Sequence, residues 1–128
     1  MSTDSPGITG LAQVALSVRD LERSIVFYRD VLGLAFLFSA PPSLAFLQCG
    51  PTRVMLNGDP RATPPSGGPI LYYAVADIHG AFAALAARGA PLKEAPKAIA
   101  RVGGRDVWLG FTEDPDGHPV GLMSEVTG

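Results

Sequence analysis

Two aspartates and a histidine stand close together in Asp114-Pro115-Asp116-Gly117-His118, and carboxylates and imidazoles are the groups that bind divalent cations or move protons. The spacing argues against a calcium loop, because the glycine comes too early for an EF-hand and no bidentate glutamate follows. Proline second and glycine fourth is the arrangement a type I turn prefers, so Asp114 and Asp116 read as turn formers. His118 is a weak candidate for a metal ligand or general base, since turns normally face water. His79 sits in a first helical turn, where a solvated ring without a function is expected. Cys49 ends an apolar run with no histidine nearby, which predicts burial rather than nucleophilic use. Gly67-Gly68 and Gly103-Gly104 lack the spacing and the following lysine of a phosphate loop.

What remains is a set of residues suited to holding a molecule rather than transforming it. Gln13 shares one strand face with Ala15 and Ser17, from which its amide can orient a polar ligand group. Tyr72 and Trp108 offer flat apolar surface with one donor each, suited to an aromatic or acyl group. Phe46 and Met55 complete the apolar part of the candidate ligand-binding set. Arg53, Arg101 and Arg105 lie on or beside strands, where a guanidinium can clamp a carboxylate or phosphate, and Arg53 is the one placed in the ligand-binding set.

The elements that must position these residues occur twice. Val18-Arg19-Asp20-Leu21 returns 57 residues later as Val75-Ala76-Asp77-Ile78, each time between an apolar run and a helical pattern. Leu21, Ile25, Tyr28 and Leu32 fall on one helix face, and Ile78, Phe82, Leu85 and Gly89 repeat the intervals. Asp20 and Asp77 stand where an N-cap belongs, and Gly33 and Gly89 where a left-handed terminator belongs. Leading strands are expected at 11–18 and 70–76. Three further strands are expected at 35–39, 44–49 and 53–56, and again at 97–102, 107–112 and 119–124. Each half therefore reads βαβββ. The expectation is one α+β domain over 1–128, with a first module at 8–57, a Pro/Gly-rich linker at 58–69 and a second module at 70–126, its two modules forming a curved mixed sheet around a cavity.

Composition narrows the partners. With 128 residues, 47% hydrophobic content and 17% charged content, the chain suits one globular core. Ten basic against twelve acidic residues give a charge of −2, and the basic ones are scattered, so no nucleic-acid footprint is present. No apolar stretch approaches a membrane span, and the polar start from Met1 to Gly7 lacks a signal pattern. Together with a single cysteine, this predicts a cytoplasmic protein without membrane or nucleic-acid partners.

The stretches Val14 to Leu21 (VALSVRDL), Ser24 to Leu34 (SIVFYRDVLGL) and Phe111 to Val120 (FTEDPDGHPV) resemble the vicinal oxygen chelate superfamily, the glyoxalase/bleomycin-resistance/dioxygenase proteins, along nearly the whole chain. The resemblance implies the two-module fold and, for the family's enzymes, a divalent cation held by four side chains that stabilises an enediolate or oxyanion. Carried over position by position, it places those ligands at Gln13, Met55, Ile70 and Gly121. Only glutamine among these offers an oxygen donor, so no metal and no cofactor are expected. The resemblance further implies sheets paired across a homodimer.

The leading expectation is a non-metal binding protein that sequesters a largely apolar small molecule by shape and a few placed polar groups. The alternative is a metal-dependent lyase, isomerase or epimerase, akin to lactoylglutathione lyase, with an unusual ligand set drawn from Gln13, Tyr72, His118 or Glu125. A third is an accessory module whose partner is another protein.

Overall fold

A computed structural model describes residues 5–61 and 69–127. Most of the expected linker, 62–68, lies outside the described residues. The elements in chain order are β1 (Gln13–Ser17), α1 (Leu21–Val26), a π-helical turn (Phe27–Val31), β2 (Ala35–Ala40), β3 (Leu44–Cys49) and β4 (Thr52–Asn57). The second half holds β5 (Leu71–Ala74), α2 (Ile78–Ala87), β6 (Glu94–Val102), β7 (Arg105–Glu113) and β8 (Pro119–Thr127).

Both helices start as their sequences dictate. Asp20 and Asp77 are extended, and their carboxylates accept from the backbone N–H of Arg23 at 3.1 Å and of Gly80 at 3.0 Å. Each cap satisfies a donor that the helix leaves open, worth about 1 kcal/mol. Gly33 and Gly89 follow the helical segments with φ of 82° and 84°, a conformation that a Cβ would strain.

The first helix differs from the regular one its spacing predicts. After Val26 it widens, and Leu32 N–H donates to the Phe27 carbonyl five residues back at 2.9 Å. Phe27 and Tyr28 are both buried, at 7% and 1% exposure. Adjacent residues of an α-helix point about 100° apart, and a π turn accommodates such a pair by inserting one extra residue.

The strands form two four-stranded sheets, ordered β1-β4-β3-β2 and β5-β8-β7-β6. The leading strand of each runs parallel to the last, Ala15 facing Met55 and Tyr72 facing Gly121, while the remaining pairs are antiparallel. The last three strands run past their expected ends. Arg105 pairs with Thr127 and Asp106 with Val126, extending the hairpin through residues whose side chains carry no hydrophobic alternation. The leading strands are shorter than expected, at five and four residues.

Alternation gives each sheet a helix-covered face and an open face. Ala45, Leu47, Val54 and Leu56 are buried beneath Ile25 and Tyr28 in the first, and Leu122 beneath Ile78, Phe82 and Leu85 in the second. Val120, from the second module, belongs to the first core, and Val31 and Leu32, from the first module, pack against the second. The modules are therefore joined through their helix-covered sides. Among the described residues no helix is long and apolar enough to cross a membrane.

Candidate functional site

On the open face of the first sheet, β1 places Gln13 beside Arg53, and β4 brings Met55 opposite Phe46 of β3. The Gln13 amide nitrogen lies 3.8 Å from the Met55 sulfur, a weak hydrogen bond. The Arg53 guanidinium sits 5.9 Å from the Phe46 ring centroid, within cation–π range. Phe46 in turn stacks on Phe38 of β2, with centroids 4.7 Å apart and planes 26° from parallel. No ion pair holds Arg53 among the described residues. Four of the sequence-derived ligand residues, Gln13, Phe46, Arg53 and Met55, thus share one patch.

On the open face of the second sheet, Tyr72 lies against Phe111 of β7 edge to face, with ring centroids 5.7 Å apart and planes inclined at 66°. Both press on Gly121. A Cβ at that glycine would stand 2.6 Å from Tyr72 Cδ1 and 3.2 Å from Phe111 Cε1, so the two rings fill the volume into which a side chain of residue 121 would project. Glu125 lies further along β8, paired with Val107. Ile70 stands just before β5 and is 41% exposed.

These observations test the ligand positions implied by the family. Met55 is engaged by Gln13, Ile70 offers no lone pair, and the site at Gly121 is occupied by aromatic carbon. One amide oxygen does not constitute a coordination shell for a hard divalent cation. The residues present do not fit the family's metal.

Among the described residues, a further potential donor cluster is Asp114, Asp116 and His118, whose ligating atoms lie within 4.8 Å of one another. It is internally satisfied. Asp114 Oδ2 accepts from the Tyr28 hydroxyl at 2.8 Å and lies 2.7 Å from His118 Nδ1, while Oδ1 accepts from the N–H groups of Asp116 and His118. The Asp116 carboxylate accepts from Arg19 N–H and lies within ion-pair range of Arg19 and Arg23. The turn is thereby docked onto the first module, and its carboxylates are spent on that.

Trp108 stands apart from the other residues of the ligand-binding set. The structure places it on the helix-covered face beside His79, ring centroids 5.1 Å apart, not with Tyr72. The cause is parity: Gly110, two residues on, abuts the Phe82 ring, so even-numbered residues of β7 face α2 and odd-numbered ones face the open side. His79, exposed as expected, has this aromatic neighbour. Two members of the open faces, Phe38 and Phe111, are absent from the sequence-derived set. Phe111 is recoverable from its pairing with Gly121. Phe38 is hidden by a register shift between Phe36 and Phe38 that alternation alone does not reveal.

The Glyoxalase/Bleomycin resistance protein/Dioxygenase superfamily model matches residues 10–122. No curated protein sequence matches the chain. Among solved structures, the chain is similar to an antibiotic-binding protein, TnmS3, from Streptomyces sp. CB03234, with TM-score 0.74, 22% identity, and coverage of 94% of this chain and 99% of that one. It is also similar to a lactoylglutathione lyase from Agrobacterium tumefaciens, with TM-score 0.70, 22% identity, and coverage of 91% and 94%. A superfamily member from Sphaerobacter thermophilus DSM 20745 gives TM-score 0.73, 22% identity, and coverage of 92% and 98%. At such identities these likenesses concern the fold, which a binding protein and a lyase share. With the family model spanning both modules, the chain belongs to the Glyoxalase/Bleomycin resistance protein/Dioxygenase superfamily.

Proposed function

We propose that this protein binds a largely apolar, planar small molecule bearing one anionic group, without a divalent metal and without covalent chemistry. The observation that carries this reading is the filling of the Gly121 position by the rings of Tyr72 and Phe111. Where a metal-dependent relative needs a donor, this chain presents aromatic surface.

The ligand class follows from the patch around Phe46. Phe38 and Phe46 form a stacked pair with a half-exposed ring, against which a planar compound gains apolar contact. Arg53, over Phe46 and without an ion-pair partner among the described residues, supplies the charge for a carboxylate, phenolate or sulfonate, and Gln13 beside it supplies an amide. A second copy of the chain provides the facing wall. Phe38 and Tyr72, 47% and 46% exposed, remain uncovered on one side in the single chain. The antibiotic-binding relative is consistent with such a role, by its name alone.

Titration of the protein with 2-naphthoate and with uncharged 2-naphthylmethanol, followed by naphthalene fluorescence, tests the reading. Both compounds bind, the carboxylate more tightly, and Arg53→Gln weakens naphthoate by about tenfold or more, the worth of a charged hydrogen bond, while leaving the alcohol unaffected. Failure of both compounds to bind, or equal losses for both in the variant, contradicts it.

A further inference from the structure

A pocket of about 180 Å³ opens where α2 begins, on the helix-covered side of the second sheet. Ile78, Trp108 and Val126 supply apolar wall, and Asp77, His79 and Ser124 supply polar groups. Strand parity gathers them. Ser124 stands two residues beyond Leu122, which packs under α2, and it pairs across the sheet with Trp108. Ser124 is 5% exposed, and its hydroxyl makes no hydrogen bond among the described residues. It is not sealed in as the hydroxyls of Ser24 and Tyr73 are: it keeps accessible surface where it lines the pocket.

A hydroxyl on a buried residue nearly always finds a partner, so an unmet one that a pocket still reaches marks a place for a polar group. The charge of that group follows from Asp77. Its carboxylate accepts from Gly80 N–H at 3.0 Å through one oxygen, and no ion pair holds it among the described residues. A full negative charge outweighs the roughly half positive charge at the start of α2, so an anion is disfavoured here despite the helix N-terminus. We infer that this pocket binds a small primary ammonium compound, whose N–H groups donate to the Ser124 hydroxyl and the Asp77 carboxylate while its carbon chain lies against Ile78, Trp108 and Val126. An ammonium brings donors and no acceptor, which suits two oxygens with lone pairs to spare. The volume suits a short chain, since an apolar cavity of about 150 Å³ already admits benzene. The pocket lies on the opposite side of the sheet from Tyr72 and Phe111, so the inference is independent of the reading proposed for the open faces.

Trp108 is the single tryptophan of the chain, so indole fluorescence reports on the pocket in the unaltered protein. Butylamine, which is charged at about pH 8, and 1-butanol share one chain length with and without the charge, and butyrate reverses its sign; all are titrated at constant ionic strength. Butylammonium changes the emission saturably and binds about tenfold more tightly than butanol, with butyrate the weakest. Asp77→Asn removes the charge and keeps the helix cap, since asparagine caps as well as aspartate, and the preference for the cation disappears. Ser124→Ala weakens butylammonium about tenfold, the worth of a hydrogen bond to a charged group. Five results overturn the inference: no saturable change with butylammonium; equal affinity for butanol; tighter binding of butyrate, which assigns the pocket to anions; a cation preference that survives Asp77→Asn; or a butylammonium affinity unmoved by Ser124→Ala.

Discussion

Tyr28, in the π turn of the first module, donates a 2.8 Å hydrogen bond to Asp114, in the turn that opens β8 of the second. Asp114 is 4% exposed and accepts four hydrogen bonds, counting that from the His118 ring, so the contact is both a fastener between modules and the fixed end of the Asp-Pro-Asp-Gly turn. Tyr28→Phe deletes one charge-assisted bond while keeping the ring. It lowers unfolding free energy by about 1–3 kcal/mol in urea titrations. Loss of less than about 0.5 kcal/mol would show that the fastener is redundant.

The same tyrosine predicts an alkaline limit. Burial, and then the Asp114 carboxylate, raises the pKa of Tyr28 far above that of an ordinary phenol, and burial also raises that of Tyr73. Both folded-state values exceed the unfolded one of about 10, so their stabilising contribution is fully present below that pH and is lost as pH rises beyond it. The unfolding free energy from urea titrations accordingly falls above about pH 10, by up to about 1.4 kcal/mol per pH unit for each tyrosine, taking the urea midpoint down with it, and Tyr28→Phe flattens the fall relative to its own value at neutral pH. A midpoint that holds steady to about pH 11 contradicts this.

Ser24 carries the converse expectation. Its hydroxyl is fully buried in α1 without a hydrogen-bond partner among the described residues. Ser24→Ala removes an unsatisfied group without opening a large void, so stability stays level or rises by about 1 kcal/mol in the same titrations. A clear loss identifies a partner for the hydroxyl.

Tyr72 and Gly121 are coupled by exclusion. Gly121→Ala pushes a Cβ into the Tyr72 ring and costs about 1 kcal/mol or more, part of which the half-exposed ring relieves by moving. In a Tyr72→Ala background the same change costs less, and the thermal midpoints of the four proteins give the coupling directly. Equal costs in both backgrounds would mean that the ring does not hold the glycine in place.

Much of the fold is legible in the chain because its signals are local: an aspartate that caps, a glycine that terminates, a Pro/Gly turn, and each of them repeated at one offset. The π turn is not legible, since burying both Phe27 and Tyr28 is a demand of tertiary packing, and the α-helical spacing of Leu21, Ile25, Tyr28 and Leu32 looks complete without it. Of the open-face residues, Gln13, Phe46, Arg53, Met55 and Tyr72 lie where simple alternation puts them. Trp108 obeys the same alternation and so falls on the helix-covered face, since aromatic character says nothing about strand parity, and Phe38 escapes because one irregular step in β2 resets its face. The pairing of Tyr72 with Gly121 is a contact between strands 49 residues apart, visible only once register is known.

The account turns on the claim that the four family ligand positions, Gln13, Met55, Ile70 and Gly121, do not retain a cation. Elemental analysis of protein purified without chelators, paired with melting temperatures in the presence of added zinc, nickel, manganese or iron(II), tests it most directly. The account predicts metal well below one equivalent per chain and no cation-dependent rise in melting temperature. One equivalent of any of these metals, lost on Gln13→Ala, would contradict it.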